Sequence, residues 1–252
     1  MIADLLAFPT TTLVCAPLIV MLGYTILGIT GFGSNIIALP LIAHLLPLRF
    51  AVPMLVLLDL SASLIVGTRN RAAIARPELK QIVPFMFVGI ALGATVLARA
   101  PAKWLMFALG AFVLCYAVYG ILARAEVGRM GRAWAAPLGI VGGVFSALFG
   151  TGGPIFAIYL ARRLSDKSAL RATMVTVVSI SAVTRFGVFA VAGLYAQQNI
   201  LLAAAGLLPF MLAGLWLGNR LHRRLDAKRI MQGLWLVLIL SGVSLLARSL
   251  LG

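Results

Sequence analysis

The chain has 252 residues, 62% of them hydrophobic and only 11% charged, with a formal net charge of +15 and a mean hydropathy of +1.09. Soluble domains of this size carry far more polar surface, so the sequence is that of an integral membrane protein. The positive charge does not indicate nucleic acid: all 21 basic residues except Arg185 lie in or beside the loops between apolar segments, the distribution of the positive-inside rule, and little exposed polar surface remains for such a partner.

The apolar runs fall at roughly residues 12–29, 34–47, 50–68, 82–98, 104–123, 134–149, 154–161, 172–194, 200–219 and 230–247; about 20 apolar residues cross a bilayer. The N-terminus, Met1-Ile2-Ala3-Asp4, lacks the positive flank of a signal peptide, so the first run is expected to stay in the mature protein. Run one holds Cys15 and run five holds Cys115; neither has a ligand partner at metal spacing, and both are read as small lipid- or core-facing residues. Between runs one and two comes a glycine-rich break, Gly31-Phe32-Gly33-Ser34-Asn35. His44, near the end of run two, is read as interfacial. Asp59 in run three is the one carboxylate inside a span. Run four contains Gly89 and Gly93, a small-residue motif that lets equivalent helices approach closely in each half. Pro40, Pro47, Pro53 and Pro84 mark kinks or span ends.

The longest polar stretch, 124–132, is a loop. Beyond it lies a second break, Gly150-Thr151-Gly152-Gly153-Pro154, between short apolar pieces. Helix is weakened by such glycines and by a proline without an N–H. Irregular backbone at membrane depth is tolerated only against protein or a water-filled cavity. The 172–194 run contains Arg185, well away from any loop, with Thr173, Thr176, Ser179 and Thr184 on its polar face. Such hydroxyls often bond only to their own helix. Ser179, six residues before Arg185, falls off its face, and Ser181, four before, is better placed. The run at 200–219 repeats the small-residue motif with Gly214 and Gly218. His222 sits in a basic loop.

Charge sets the topology. If the second broken stretch enters the membrane and returns, sixteen basic residues in four loop clusters share the inner side, and only Arg49, Arg99, Lys103 and Arg248 lie outside. A single crossing would move nine charges to the wrong face. Each broken pair therefore reads as a hairpin that does not fully cross on each leg. Pro84-Phe85-Met86 recurs as Pro209-Phe210-Met211, within a block matching at six of ten positions at an offset of 125. The breaks align at an offset of 119, pairing Gly31 with Gly150 and Gly33 with Gly152. The expectation is an all-α polytopic protein forming one transporter domain, residues 1–252. Repeat one is 1–123, a cytoplasmic linker is 124–132, and repeat two is 133–252. Each repeat holds one hairpin and three spans, so the halves are inverted.

The segment Gly31-Phe-Gly-Ser-Asn-Ile-Ile-Ala-Leu-Pro40 resembles the glycine-rich segment of the TauE/SafE sulfite exporter family, and Phe149-Gly-Thr-Gly-Gly-Pro154 with Leu170-Arg-Ala-Thr173 resembles its second-half pattern. Where that family commonly has a run of glycines, this chain has Ser34 and Asn35. The resemblance extends over nearly the whole chain. It implies transport of sulfite, sulfonates or related organosulfur anions across the bacterial inner membrane.

The residues themselves point to anions. Helices beginning near Asn35 and near Ile155 would present unsatisfied N–H groups and the positive end of the helix dipole. Gly31, Gly33, Gly150, Gly152 and Gly153 would let an oxyanion approach the backbone, and Ser34, Asn35 and Thr151 would add donors. The plainer reading is that the glycines serve packing. A buried Arg185 is costly, and its planar fork suits a sulfonate or sulfite; the alternative is that it snorkels to the nearer interface. Asp59 lies 126 residues before Arg185, close to the repeat offset. Either the two form a neutralising pair, or Asp59 takes up a proton while Arg185 holds the anion.

The function expected is secondary transport of a small anion by alternating access, with an anion channel as the alternative. No Gly-x-x-x-x-Gly-Lys-Ser/Thr loop is present, so ATP is not used within this chain. A membrane-embedded enzyme would need a nucleophile with its base, or metal ligands, and none is arranged here. No cofactor and no metal site are expected. The partners are a small anionic substrate and the lipid bilayer, and the oligomeric state stays open between monomer and homodimer.

Overall fold

The structure is a computed structural model that describes residues 9–30, 33–66, 73–122, 130–196, 199–221 and 227–251. It is built from ten α-helices among these residues: α1 (Thr10–Thr30), α2 (Ser34–Ile42), α3 (Leu48–Val66), α4 (Arg76–Arg99), α5 (Ala102–Leu122), α6 (Ala135–Phe149), α7 (Gly152–Ala161), α8 (Lys167–Val191), α9 (Ile200–Leu221) and α10 (Ala227–Leu251). A 3₁₀ turn, Arg132–Trp134, leads into α6. Among the described residues, seven helical stretches are long and apolar enough to cross a membrane.

Both glycine breaks are real interruptions, and glycine is required at each. Gly33 caps α2 at φ +92°. Gly150 ends α6 at φ +66° and donates its N–H to the Ser146 carbonyl at 2.8 Å. L-residues with a side chain rarely adopt this left-handed conformation, and glycine does so freely. The legs are unequal: α1 has 21 residues and α6 has 15, against 9 for α2 and 10 for α7. At 1.5 Å per residue α1 is about 31 Å long, and the stretch Arg132–Phe149 that ends in α6 is also long and apolar enough to span, so the expectation that neither leg crosses holds for the short second legs and fails for both first legs. Helix α7 also begins at Gly152, ahead of the expected start near Ile155. Pro154 is accommodated because a helix's first turn has no intrahelical use for its N–H groups. Pro40, Pro53 and Pro84 lie inside α2, α3 and α4, while Pro47 precedes α3.

Glycine then dictates which helices meet. A Cβ on Gly89 would overlap the Ile140 carbonyl of α6, and one on Gly93 would sit 2.7 Å from the Val144 carbonyl. A Cβ on Gly214 would overlap the Met21 carbonyl of α1, and one on Gly218 the Thr25 carbonyl. So α4 runs parallel to and against α6, and α9 against α1. The small-residue motifs thus join the two halves to each other rather than packing helices within each half. The broken hairpins contribute the faces that α4 and α9 need, which sequence spacing alone does not reveal. Helix α5 lies on α10, with Gly110 beside Gly242.

Candidate functional site

Helices α3 and α8 pack against each other, and there Asp59 meets Arg185. Arg185 Nη2 donates to Asp59 Oδ2 at 3.0 Å. Arg185 is only 2% exposed and Asp59 7%, so Arg185 does not snorkel to an interface. A charge pair at this burial needs further hydrogen bonds to offset its desolvation, and Asp59 has them. Tyr24 Oη of α1 donates to Oδ1 at 2.7 Å and Ser34 Oγ of α2 to the same oxygen at 3.3 Å. Asn35 Nδ2 donates to Oδ2 at 2.7 Å. Each carboxylate oxygen thus receives two donors.

Beside the pair is a cavity of about 40 Å³ lined by Gly33 and Ser34 at the start of α2, by Gly150, Thr151, Gly153 and Pro154 at the start of α7, and by Asp59 and Arg185. Ala62 and Ser63 of α3 and Val175, Val178 and Ser179 of α8 complete its walls. By volume it holds about two or three water molecules. The first residues of α2 and α7 therefore line one small space, and the first turn of a helix carries the positive end of its dipole. Arg185 Nε and Nη1 are buried without a hydrogen-bond partner, as is Thr151 Oγ1. Unpaired buried donors are costly.

Most of the residues singled out in the sequence meet at this cavity, and some do not. Asn35 stands behind it, its amide against Gly150 Cα and bonded to Asp59. Gly152 faces away: a Cβ there would lie 2.8 Å from Ser146 Cβ and 2.9 Å from the Phe156 ring, so its role is packing. Gly31 lies outside the described residues. Ser179 lines the cavity, whereas Ser181 is hydrogen-bonded to Ser146, reversing the sequence assignment of the two. The reason is reach: a long helical side chain leans back over the preceding turns, so Arg185 covers space near Val178 and Ser179. Thr176 and Thr184 bond to their own helix, at Ala172 and Ile180. Thr173 accepts from the Ala75 N–H at 2.9 Å.

Sequence reasoning missed Tyr24, whose only signal was a phenol inside an apolar span. It also missed Tyr195, in the turn after α8. Tyr195 Oη is buried without a hydrogen-bond partner. Burial pushes this hydroxyl above its usual range, with opposing influences from Arg185 and Asp59. His44 is bonded through Nδ1 to the Pro40 carbonyl at 2.8 Å and through Nε2 to Ser244 Oγ at 2.9 Å. A carbonyl only accepts, so Nδ1 carries a proton. Cys15 and Cys115 are unpaired and exposed on the helix surface. No His, Cys, Asp or Glu cluster able to hold a metal occurs among the described residues.

No solved structure matches this chain. A probable inner membrane transporter protein TsaS from Comamonas testosteroni is 29% identical over 198 residues, covering 76% of this chain and 81% of that one. The family model for the sulfite exporter TauE/SafE matches residues 16–245, which takes in both glycine breaks, Asp59 and Arg185. The chain is a membrane transporter, not an enzyme, and it belongs to the TauE/SafE sulfite exporter family.

Proposed function

We propose that this protein is a secondary transporter of small anions, sulfite or an organosulfonate, across a bacterial inner membrane. The observation that carries the reading is the convergence of the α2 and α7 N-termini on the free guanidinium nitrogens of Arg185 and the free Thr151 hydroxyl. Three kinds of donor face one space, and an oxyanion is the ligand that satisfies all of them. The name of the Comamonas relative supports the inner-membrane location.

Alternating access follows from an inverted-repeat arrangement. Equivalent helices run antiparallel across the centre: Asp59 of α3 meets Arg185 of α8, while Ser63 shares a cavity wall with Val178. The carbonyls approached by Gly214 and Gly218 and those approached by Gly89 and Gly93 differ by 119 positions, the offset of the glycine breaks. Two such halves give two exchangeable arrangements around one site.

The test is purified protein in liposomes, measuring uptake and counterflow of labelled sulfite and methanesulfonate. Saturable uptake with counterflow is expected, and Arg185→Gln is expected to reduce it by at least about a hundredfold, in keeping with loss of a buried ionic contact. Flux that stays linear with concentration and shows no counterflow would make the protein a channel. No flux of either anion would remove the organosulfur reading.

A further inference from the structure

The four groups that hold Asp59 are two hydroxyls, one amide nitrogen and one guanidinium, at 2.7 to 3.3 Å. All of them donate, and that is the donor set a small oxyanion would want. Asp59 therefore sits as an internal anion beside the cavity, taking part of the Arg185 charge that a transported anion needs. With Asp59 ionised, the pair is neutral and an incoming monoanion meets no net attraction. Once that anion takes Arg185, the site would hold two negative charges against one positive charge in a buried space, and one proton removes the conflict.

We infer that Asp59 is the proton-binding site of this transporter, taking up one proton each time an anion binds at Arg185. The inference rests on the anion site proposed above and adds its coupling. In balanced form, ionised Asp59, one monoanion and one proton give neutral Asp59 with the anion on Arg185, its Tyr24 and Ser34 donors released toward the cavity. The cargo is then electroneutral, and an acid-outside gradient drives anions inward.

No other titratable group competes at this point. Arg185 faces Asp59 from α8 and Tyr24 from α1, while α2 supplies Ser34 and Asn35. The N-terminus of α7 supplies Thr151 and no titratable side chain. Of the other helices on α3, α9 carries Arg220 and α5 carries Lys103, Cys115 and Tyr119, all on the exposed surface. Tyr116 of α5 stacks on Phe112 and against Trp235. Tyr195 feels both charges from the far side, with its hydroxyl held neutral by burial.

The experiment titrates detergent-purified protein with methanesulfonate, whose charge does not change with pH, in weak buffer containing a pH indicator. Wild type is expected to take up about one proton per anion, with affinity rising about tenfold for each unit of falling pH. His44→Gln should keep that uptake. Asp59→Asn should abolish it and flatten the affinity against pH. Anion binding without proton uptake in wild type, or proton uptake surviving in Asp59→Asn, overturns the coupling and leaves the anion site standing. Absence of methanesulfonate binding at every pH overturns both. If Asp59→Asn does not fold with Arg185 uncompensated, the wild-type proton stoichiometry decides alone.

Discussion

Asp59 and Arg185 show how far single residues could be read. Their charge inside apolar spans and their separation were plain in the sequence, but two readings stayed open because sequence does not show what surrounds a carboxylate. Tyr24 and Asn35 supply that surrounding, from helices separated from α3 by a break and a turn. Gly150 was legible for the opposite reason: a glycine between two helical pieces advertises a backbone that other residues avoid. It has a second constraint that was not legible, since a Cβ there would run into the Asn35 amide. Gly150→Ala should therefore cost about 1–3 kcal/mol and weaken anion binding by disturbing the Asn35–Asp59 contact. Gly187→Ala on α8, where a Cβ would meet nothing within 4 Å, is the control. Thermal unfolding in detergent and methanesulfonate binding check both. Thr151→Val removes an unpartnered hydroxyl without changing shape, so it should keep or raise the melting temperature and lower anion affinity by about fivefold to tenfold.

At the scale of elements, the chain is organised by what its broken hairpins offer their neighbours. The repeated Gly-x-x-x-Gly spacing was legible as packing, but its partners were not. They lie in the opposite half, and pairwise spacing says nothing about which apolar face is opposite. Without a hydrophobic drive between helices in lipid, close backbone approach supplies much of the association. Gly89→Leu and Gly214→Leu place equivalent bulk on equivalent carbonyls, so each should destabilise by about 1–3 kcal/mol and by similar amounts. Gly206→Leu, at an open position on α9, should not. Thermal melts in one detergent compare all three, and a large effect of only one of the pair would break the equivalence of the two interfaces. The short legs are anchored differently. Tyr159 of α7 donates to the buried Glu78 at 2.7 Å, and Arg163 just beyond it pairs with the same carboxylate at 2.8 Å. His44, at the matching place after α2, instead reaches Ser244 of α10 through Nε2 at 2.9 Å. The second hairpin is thus held to α4 by an ion pair, and the first is held to α10 by a histidine. Nothing in the sequence marks Glu78, which stands near a charged helix end. Its burial comes from α7 folding back over the start of α4.

For the whole molecule, the question is which side of the membrane the cavity serves. Its walls use Ala62 and Ser63, toward the end of α3, and Val175, Val178 and Ser179, in the first half of α8. Toward the other ends of these helices the interior is closed: Met54, Leu55, Leu58 and Phe189 have no more than 1% exposure. The Asp59–Arg185 pair marks the boundary between the open and the closed halves. Loop charge places the Val66 end of α3 and the Lys167 end of α8 on the inner side. On that orientation the prediction is that the cavity at Asp59 and Arg185 is reached from the inner side, with the ion pair and Leu55 and Leu58 between it and the outer side. Thiol labelling tests that directly. In a chain with Cys15 and Cys115 replaced by serine, Ser63→Cys and Ser179→Cys should react with a membrane-impermeant maleimide in inside-out vesicles and stay protected in right-side-out ones. Leu55→Cys should resist the reagent from both sides until the protein is cycled by substrate. Labelling of Ser63→Cys from the outer face at rest would mean that the charge-based orientation is inverted or that the resting state is open outward. Those two cases separate on Arg163→Cys, beyond the end of α7 and partly exposed: it reacts from the inner face if the orientation is right, and from the outer face if it is inverted.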